Sequence, residues 1–262
     1  MKRKYSTEER RSMILNMLHD SGKVMIAPLV EAFGVSDVSI RKDLAVLEER
    51  QLLVRVKGGA IVLRPGGEKE DISISRKQKL HAREKEMLGR YAASLIKEDE
   101  TIIIDSGTTM MELARNLDQF QNLTIITNSL DIAIILNGYE RFNVIVLGGT
   151  IRAVSHSTVG MMAEWALRNF YCDKLFLGVD SANVKDGFST PNIEEASLNQ
   201  AMISSAREVI AVFDSSKIGR RSFAHIASLS DVGTIITDSQ APEEFRNYVS
   251  TNGINLHIID TQ

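Results

Sequence analysis

The sequence predicts an α/β chain in two parts: an N-terminal winged helix-turn-helix and a C-terminal open, mostly parallel α/β sheet. Three observations predict it. Residues 6–50 carry three helical patterns separated by tight turns. Residues 52–63 read as two short apolar runs around a glycine pair. After residue 80, short continuous apolar runs alternate with helical stretches, the pattern of parallel strands covered on both faces.

The elements follow in order. Ser6, Thr7, Glu8 and Glu9 form a capping box, with Ser6 at the N-cap and Glu9 three residues on. Ile14, Met17 and Leu18 mark one face of the first helix, which residues 19–22 end. A second short helix fits residues 27–33, with Pro28 in its first turn. Gly34, Val35 and Ser36 make a tight turn, and Ser36 caps a third helix that runs to about Arg50. On that helix Ile40, Leu44 and Leu47 share a face and are expected to pack on the first two helices. Residues 52–56 and 60–63 are the strands of a hairpin turned by Lys57, Gly58 and Gly59. Residues 1–63 are therefore one domain. Residues 64–79, polar and rich in breakers at their start, are read as a linker, and 80–262 as the second domain. In that domain a helix is expected from Leu80 to about Lys97. Strands are expected at 101–105, 124–127, 144–147, 174–179, 209–213, 233–237 and 256–259.

Composition narrows the function. A length of 262 residues and 44% hydrophobic content suit a two-domain globular chain. The single cysteine, Cys172, cannot form an internal disulfide, which favours a reducing compartment. The charged N-terminus has no apolar run behind it, and no run is long enough to span a bilayer. A cytoplasmic, nucleoid-associated protein is expected. Residues 1–64 hold 12 Lys/Arg against 8 Asp/Glu, a balance of +4; the rest holds 19 against 26, a balance of −7. A basic head on an acidic body favours contact with DNA through the head alone. His81, His156, His225 and His257 adjoin no ligand-spaced partners, so no metal and no cofactor is expected.

In a helix-turn-helix the N-terminal part of the last helix enters the major groove. Val38, Lys42 and Ala45 lie opposite its apolar face, with Ser39 and Arg41 on the flanks. Arg41 and Lys42 are the side chains expected to reach phosphates or a guanine edge, Ser39 a base or phosphate, and Val38 a thymine methyl. Ser36 and the helix N-terminus suit a backbone phosphate. Arg55 and Lys57 on the hairpin add phosphate or minor-groove contacts.

The first 63 residues closely resemble the DeoR family of bacterial transcriptional regulators. The family pattern is VSxxTIRRDLxxLExxGxLxRxHGGA, and this chain reads VSDVSIRKDLAVLEERQLLVRVKGGA. It departs at Ser39, Lys42, Gln51 and Lys57. Lysine at 42 is a point charge and not a planar fork, which weakens the case for a bidentate base contact there.

The second domain carries a candidate ligand site. Residues 103–109 run off a buried strand into a helix. Gly107 lets backbone approach a ligand closely, while Ser106, Thr108 and Thr109 supply hydroxyls beside free N–H groups, all suited to phosphate. Other polar groups stand where strands end: Asn128, Arg152 after Gly148 and Gly149, Asp180, and Lys217. Ligands of open α/β sheets bind outside the carboxyl ends of strands, so these groups are expected to converge. The segments DSGTT, TNS, LGG, FLGVD and DSSK resemble the effector domain of the same family in order and spacing. That domain is similar in fold to ribose-5-phosphate isomerase. The resemblance implies a phosphorylated sugar as effector, with Ser106, Gly107, Thr108 and Thr109 on the phosphate. By it, Asp105, Asn128, Asp180, Glu195 and Lys217 face the sugar. Residues 187–196 look most like the amino-sugar (AgaR-like) branch of the family.

The leading expectation is a repressor, a homodimer or homotetramer, that binds double-stranded operator DNA and is released by a phosphorylated sugar. It controls a carbohydrate catabolic operon. The alternative is a sugar-phosphate isomerase with an added DNA-binding head, using Asp180, Glu194 or Glu195, and Lys217 for proton transfer beside a carbonyl. Against it, the chain has only Gly187, followed by Phe188, where the isomerases carry a glycine-rich loop.

Overall fold

The structure is a computed structural model that describes residues 5, 7–21, 23–49, 52–62 and 72–261. The chain divides into two units, Met1–Gly67 and Glu68–Gln262. Ser6, the expected cap, lies outside the described residues, as do Gly22, Arg50, Gln51 and most of the breaker-rich stretch after the hairpin.

The N-terminal unit runs α1 (Thr7–Ser21), β1 (Lys23–Met25), α2 (Ile26–Phe33), α3 (Asp37–Glu49), β2 (Leu53–Val56) and β3 (Gly59–Val62). Ile14 and Leu18 on α1, Leu29 and Phe33 on α2, and Ile40, Leu44 and Leu47 on α3 meet in one core. Met17 does not join them. It is 37% exposed, because the buried face of α1 is centred on Ile14, Leu15 and Leu18, and Met17 falls on its rim. Gly34 ends α2 in the left-handed region at φ 63°, and its N–H closes on Val30 O at 2.9 Å. The Ser36 hydroxyl accepts the Ser39 N–H at 3.2 Å, which makes Ser36 the cap of α3.

Two features of this unit had no sequence signal. Lys23–Met25 adds a third strand, antiparallel to β3, so the sheet order is β1-β3-β2. Asp43, buried to 2%, accepts from Arg10 Nε at 2.5 Å and Arg11 Nε at 2.9 Å. These ion pairs tie α1 to α3.

The second unit begins with α4 (Ile74–Lys79) and α5 (Ala82–Ala93). Residues 74–79 were expected to be linker. They are a helix, because Ile74 is buried at 3% and its N–H donates to Val154 O at 2.8 Å. The long helix expected from Leu80 starts at Ala82 instead, since His81 turns left-handed at φ 52° between the two.

The chain continues through β4 (Thr101–Ile104), α6 (Thr108–Ala114), β5 (Leu123–Thr127), α7 (Leu130–Leu136) and β6 (Phe142–Val146). A hairpin of β7 (Thr150–Arg152) and β8 (Ser157–Val159) leads into α8 (Met161–Leu167) and β9 (Cys172–Gly178). Then come β10 (Ser181–Asn183), β11 (Gly187–Thr190), α9 (Ile193–Ser205), β12 (Ala206–Val212) and β13 (Ala224–Ala227). The last elements are β14 (Thr234–Asp238), α10 (Glu243–Thr251) and β15 (Asn255–Ile259).

All seven expected strands are present and lie in one parallel sheet of order β15-β14-β12-β9-β4-β5-β6. Its two faces are both apolar. Ile102 and Ile104 join one buried cluster with α5, α6 and α7 residues, whereas Ile103 joins the other with α8, α9 and α10 residues. That alternation is the two-residue period of a strand covered on both sides. A small antiparallel sheet, β10-β11-β13, closes one end of the second cluster. From β4 the chain builds β5 and β6 on one side, then returns to lay β9 on the other. The gap beyond the carboxyl ends of β4 and β9 is thus the topological switch point, where open sheets hold ligands. Among the described residues no helix is long and apolar enough to cross a membrane.

Candidate functional site

The solvent face of α3 carries the side chains expected to read DNA. Val38 is 74% exposed, an unusual placement for a valine, and Arg41 and Lys42 are exposed beside it. The Arg41 guanidinium is held one turn back by Asp37, through Nε to Oδ1 and through Nη2 to Oδ2 at 3.2 Å. An exposed pair of this kind is weak, so a phosphate can take Arg41 from Asp37. Ser39, half-buried, stands 3.0 Å from Ser36 through their hydroxyls. On the hairpin, Arg55 and Lys57 are exposed; the Arg55 N–H donates to Glu48 at 2.9 Å, and Lys57 and Gly58 form a two-residue turn. All seven expected residues belong to the N-terminal unit, five of them around α3 and two on the hairpin.

In the second unit, a crevice partly open to solvent lies at the switch point. Nine of the ten residues expected to meet an effector line it: Asp105, Ser106, Gly107, Thr108 and Thr109 from the β4–α6 turn, then Asn128, Asp180, Glu195 and Lys217. Arg152 does not. It stands behind Glu195, donating from Nη1 to Glu195 Oε1 at 3.0 Å and to Ser155 at 2.9 Å, and so positions a lining carboxylate.

Gly107 is the N-cap of α6 with φ 128°, a conformation that glycine alone adopts freely. A Cβ placed there would meet nothing within 4 Å, so the space in front of the turn is open to a ligand. Asn128 follows β5 and is 1% exposed. Its Nδ2 donates to Thr158 O at 3.3 Å, while its Oδ1 has no hydrogen-bond partner among the described residues. A buried acceptor left open on a crevice wall suits a hydroxyl donor from a ligand.

Sequence reasoning missed several lining groups. Lys77 on α4 donates to Asp180 Oδ1 at 2.7 Å, and Lys217 stands 4.0 Å from the same oxygen. Lys85 donates to the carbonyls of Lys77 and Leu80 at 2.5 Å each, which satisfies the end of α4. Burial, helped by Lys217 and Lys77, pulls the Lys85 ammonium down to about 8 despite Asp214. Burial acts on Lys77 as well, but Asp180, with Glu195 and Asp105 further off, outweighs it and holds that ammonium above its ordinary value. Thr190 Oγ1 lies 3.2 Å from both Asp180 Oδ2 and Glu195 Oε2. A hydroxyl has one proton, so it satisfies one carboxylate at a time and leaves the other to accept from a ligand. Glu194, by contrast, is exposed and does not line the crevice.

Asp105 sits deepest, at 4% exposure. Burial pushes its carboxyl from the ordinary 3.8 up to about 8; Glu195 adds to the rise, and hydrogen bonds from the Ser106 and Gly178 backbone and from Asn199 oppose it. That environment favours the neutral acid, which donates as well as accepts. The folded state then binds more protons than the unfolded state between about pH 4 and pH 8, so Asp105 lowers stability as pH rises through that window. Asp105→Asn, neutral at every pH, is expected to flatten this fall. Melting temperatures of both proteins from pH 5 to pH 8 check it. A steeper fall in the variant would show that burial does not govern Asp105.

The arrangement is three carboxyl groups, three lysines and a hydroxyl-rich turn with free N–H groups. It suits a polyhydroxylated anion: acceptors for hydroxyl groups on one side and donors for a compact negative group on the other.

Residues 10–65 match the DeoR-like helix-turn-helix domain, and residues 80–239 match the DeoR C terminal sensor domain. A candidate aga operon transcriptional repressor of Escherichia coli O157:H7 is 34% identical over 98% of this chain and 96% of its own length. The HTH-type transcriptional repressor GlcR of Bacillus subtilis is 31% identical over 97% of this chain and 96% of its own. Among solved structures, ribose 5-phosphate isomerase A of Methanocaldococcus jannaschii aligns with a TM-score of 0.39 at 16% identity, over 53% of this chain and 55% of that one.

Proposed function

The chain belongs to the DeoR family of DNA-binding transcriptional regulators, and from that premise we propose that it represses a carbohydrate catabolic operon and is released by a phosphorylated sugar. Named relatives of this chain are regulators and repressors, not enzymes, so the isomerase alternative is set aside. The observation that carries the effector reading is the buried, unpartnered Asn128 Oδ1 on a wall shared with the Gly107 turn and the Asp180 carboxylate. In this reading Ser106, Gly107, Thr108 and Thr109 hold the phosphate. Asp105, Asn128, Asp180, Glu195 and Lys217 take the sugar hydroxyls, with Lys77 and Thr190 added and Arg152 acting through Glu195. An amino-sugar phosphate is the first candidate. That choice follows the likeness of residues 187–196 to the amino-sugar branch of the family and the 34% identity to an aga operon repressor.

The ligand-free protein holds two half-sites through paired heads. A sugar phosphate releases them only if it binds the non-DNA-binding conformation more tightly than the DNA-binding one. Val38, Ser39, Arg41 and Lys42 are assigned to the major groove, Ser36 to a backbone phosphate, and Arg55 and Lys57 to phosphates or the minor groove.

Fluorescence anisotropy with duplex DNA from upstream of the protein's own gene cluster tests the reading. Affinity is expected to fall steeply with salt and to collapse on addition of one phosphosugar from a panel. No salt-sensitive affinity, with or without phosphosugars, refutes it. Arg41→Ala is expected to weaken the operator complex about tenfold or more. The rise in melting temperature caused by the sugar should stay unchanged; a loss of both would place Arg41 in folding and not in DNA contact.

A further inference from the structure

Around Gly160 three elements present large apolar side chains to solvent. Gly160 caps α8, and a Cβ built on it would lie 3.9 Å from Glu194 Oε1 in the first turn of α9. The β7–β8 ladder ends beside it, with Thr150 opposite Val159 and Ile151 opposite Thr158. Met161 is 82% exposed, Met162 71% and Trp165 65% on α8; Ile151 is 63% and Ile193 65% exposed on the flanking segments. The inner face of α8 is already occupied by Ala163 and Leu167, both in the core.

Side chains of this size expose together on the order of 700 Å². The largest apolar patch on a monomer is commonly about 300–600 Å², and a stable interface takes about 800 Å² from each partner. The patch therefore has the extent of one side of an interface between folded chains.

We propose that this face of α8 is the docking surface for a second copy of the chain, arranged two-fold so that α8 packs against α8. The large exposed side chains of the patch are methionine, tryptophan and isoleucine, the composition of homodimer cores, with the exposed Glu194 carboxylate beside them. A two-fold contact sets the same residues against themselves, which the apolar side chains permit without like-charge repulsion. Methionine at two adjoining positions lets the surfaces fill each other's gaps. The inference deepens the reading of paired heads above, and rests on it only for the choice of a second copy over another protein.

The face also adjoins the ligand crevice. Ile151 precedes Arg152, Ile193 lies two residues before Glu195, and Arg152 and Glu195 are joined at 3.0 Å. A ligand that engages Glu195 acts on the two segments that flank the interface.

Trp165 is the only tryptophan in the chain, so it reports on this surface alone. The experiment uses the full-length protein, with sedimentation equilibrium for mass and iodide quenching for Trp165. The wild type is expected to sediment as a dimer or larger assembly with Trp165 shielded from iodide. Met161→Glu combined with Ile193→Glu is expected to lower the assembly order and raise quenching several-fold. The proposal is overturned by a monomeric wild type, or by a double variant that assembles with Trp165 as shielded as before. If circular dichroism shows the variant unfolded, the wild type decides alone: an assembled protein whose Trp165 is freely quenched overturns the proposal, and a shielded one supports it. Operator binding is measured on the same sample. Assembly without DNA affinity would sink the proposed function and leave this surface standing, and DNA affinity with an open Trp165 would do the reverse.

Discussion

Asp43→Ala is expected to unfold the N-terminal unit and leave the sensor unit folded. Asp43 is the carboxylate of Arg10 and Arg11, which have side chains only 11% and 14% exposed. Removing one member of a buried ion pair costs about 3–5 kcal/mol, because the remaining charge keeps its desolvation penalty. A unit the size of Met1–Gly67 has only about 3–10 kcal/mol of stability in total. Calorimetry should show the transition of the head lost or moved below ambient temperature, with the sensor transition in place and still raised by the phosphosugar. Operator binding should vanish. A head that melts within about 1 kcal/mol of the wild type would mean that solvent, and not Asp43, balances the two arginines.

Thr108→Val is expected to produce a repressor that holds its operator but no longer responds to its inducer. The substitution keeps the shape and β-branching of a side chain that is 7% exposed at the first residue of α6, and removes only the hydroxyl. A hydrogen bond to a charged phosphate contributes about 1.5–3 kcal/mol, so the sugar phosphate should bind about 10- to 100-fold more weakly. Titration calorimetry gives that affinity and anisotropy gives the release concentration. Both should shift together, with the melting temperature of the free protein unchanged. Release at the wild-type concentration would move the phosphate away from the Gly107 turn.

Much of this molecule was legible before its coordinates. The seven parallel strands read clearly because strands buried on both faces are continuous apolar runs, such as Thr101–Ile104 and Leu123–Thr127. The cap at Ser36 and the turn at Gly34 read clearly because each needs a particular residue type. The nine lining residues found in advance all come from strand ends, loops or turns beside the switch point, or from the starts of α6 and α9.

What escaped notice has a common cause. Lys23–Met25 is three residues long with one buried side chain, too short to show a period. The strands of the β7–β8 and β10–β11–β13 ladders are three or four residues each, too short to show a period, and β11 pairs with β13 from more than thirty residues on. Lys77, Lys85 and Asn199 reach the crevice from helices, so no strand end points to them. Lys77 had one available clue. Ile72 and Ile74 are the only apolar residues in a polar stretch, and a solvated tether has no use for them.

The placement of α4 has a practical consequence for anyone who would borrow the sensing half as a stand-alone reporter. A fragment begun at residue 80, where the sensor family match starts, discards Ile72, Ile74 and Lys77 together. Asp180 would lose its nearest ammonium, and Lys85 one of the two carbonyls it caps. Such a truncate can be soluble and folded yet blind to its sugar, because the missing octet of residues 72–79 is a side of the vessel and not its string.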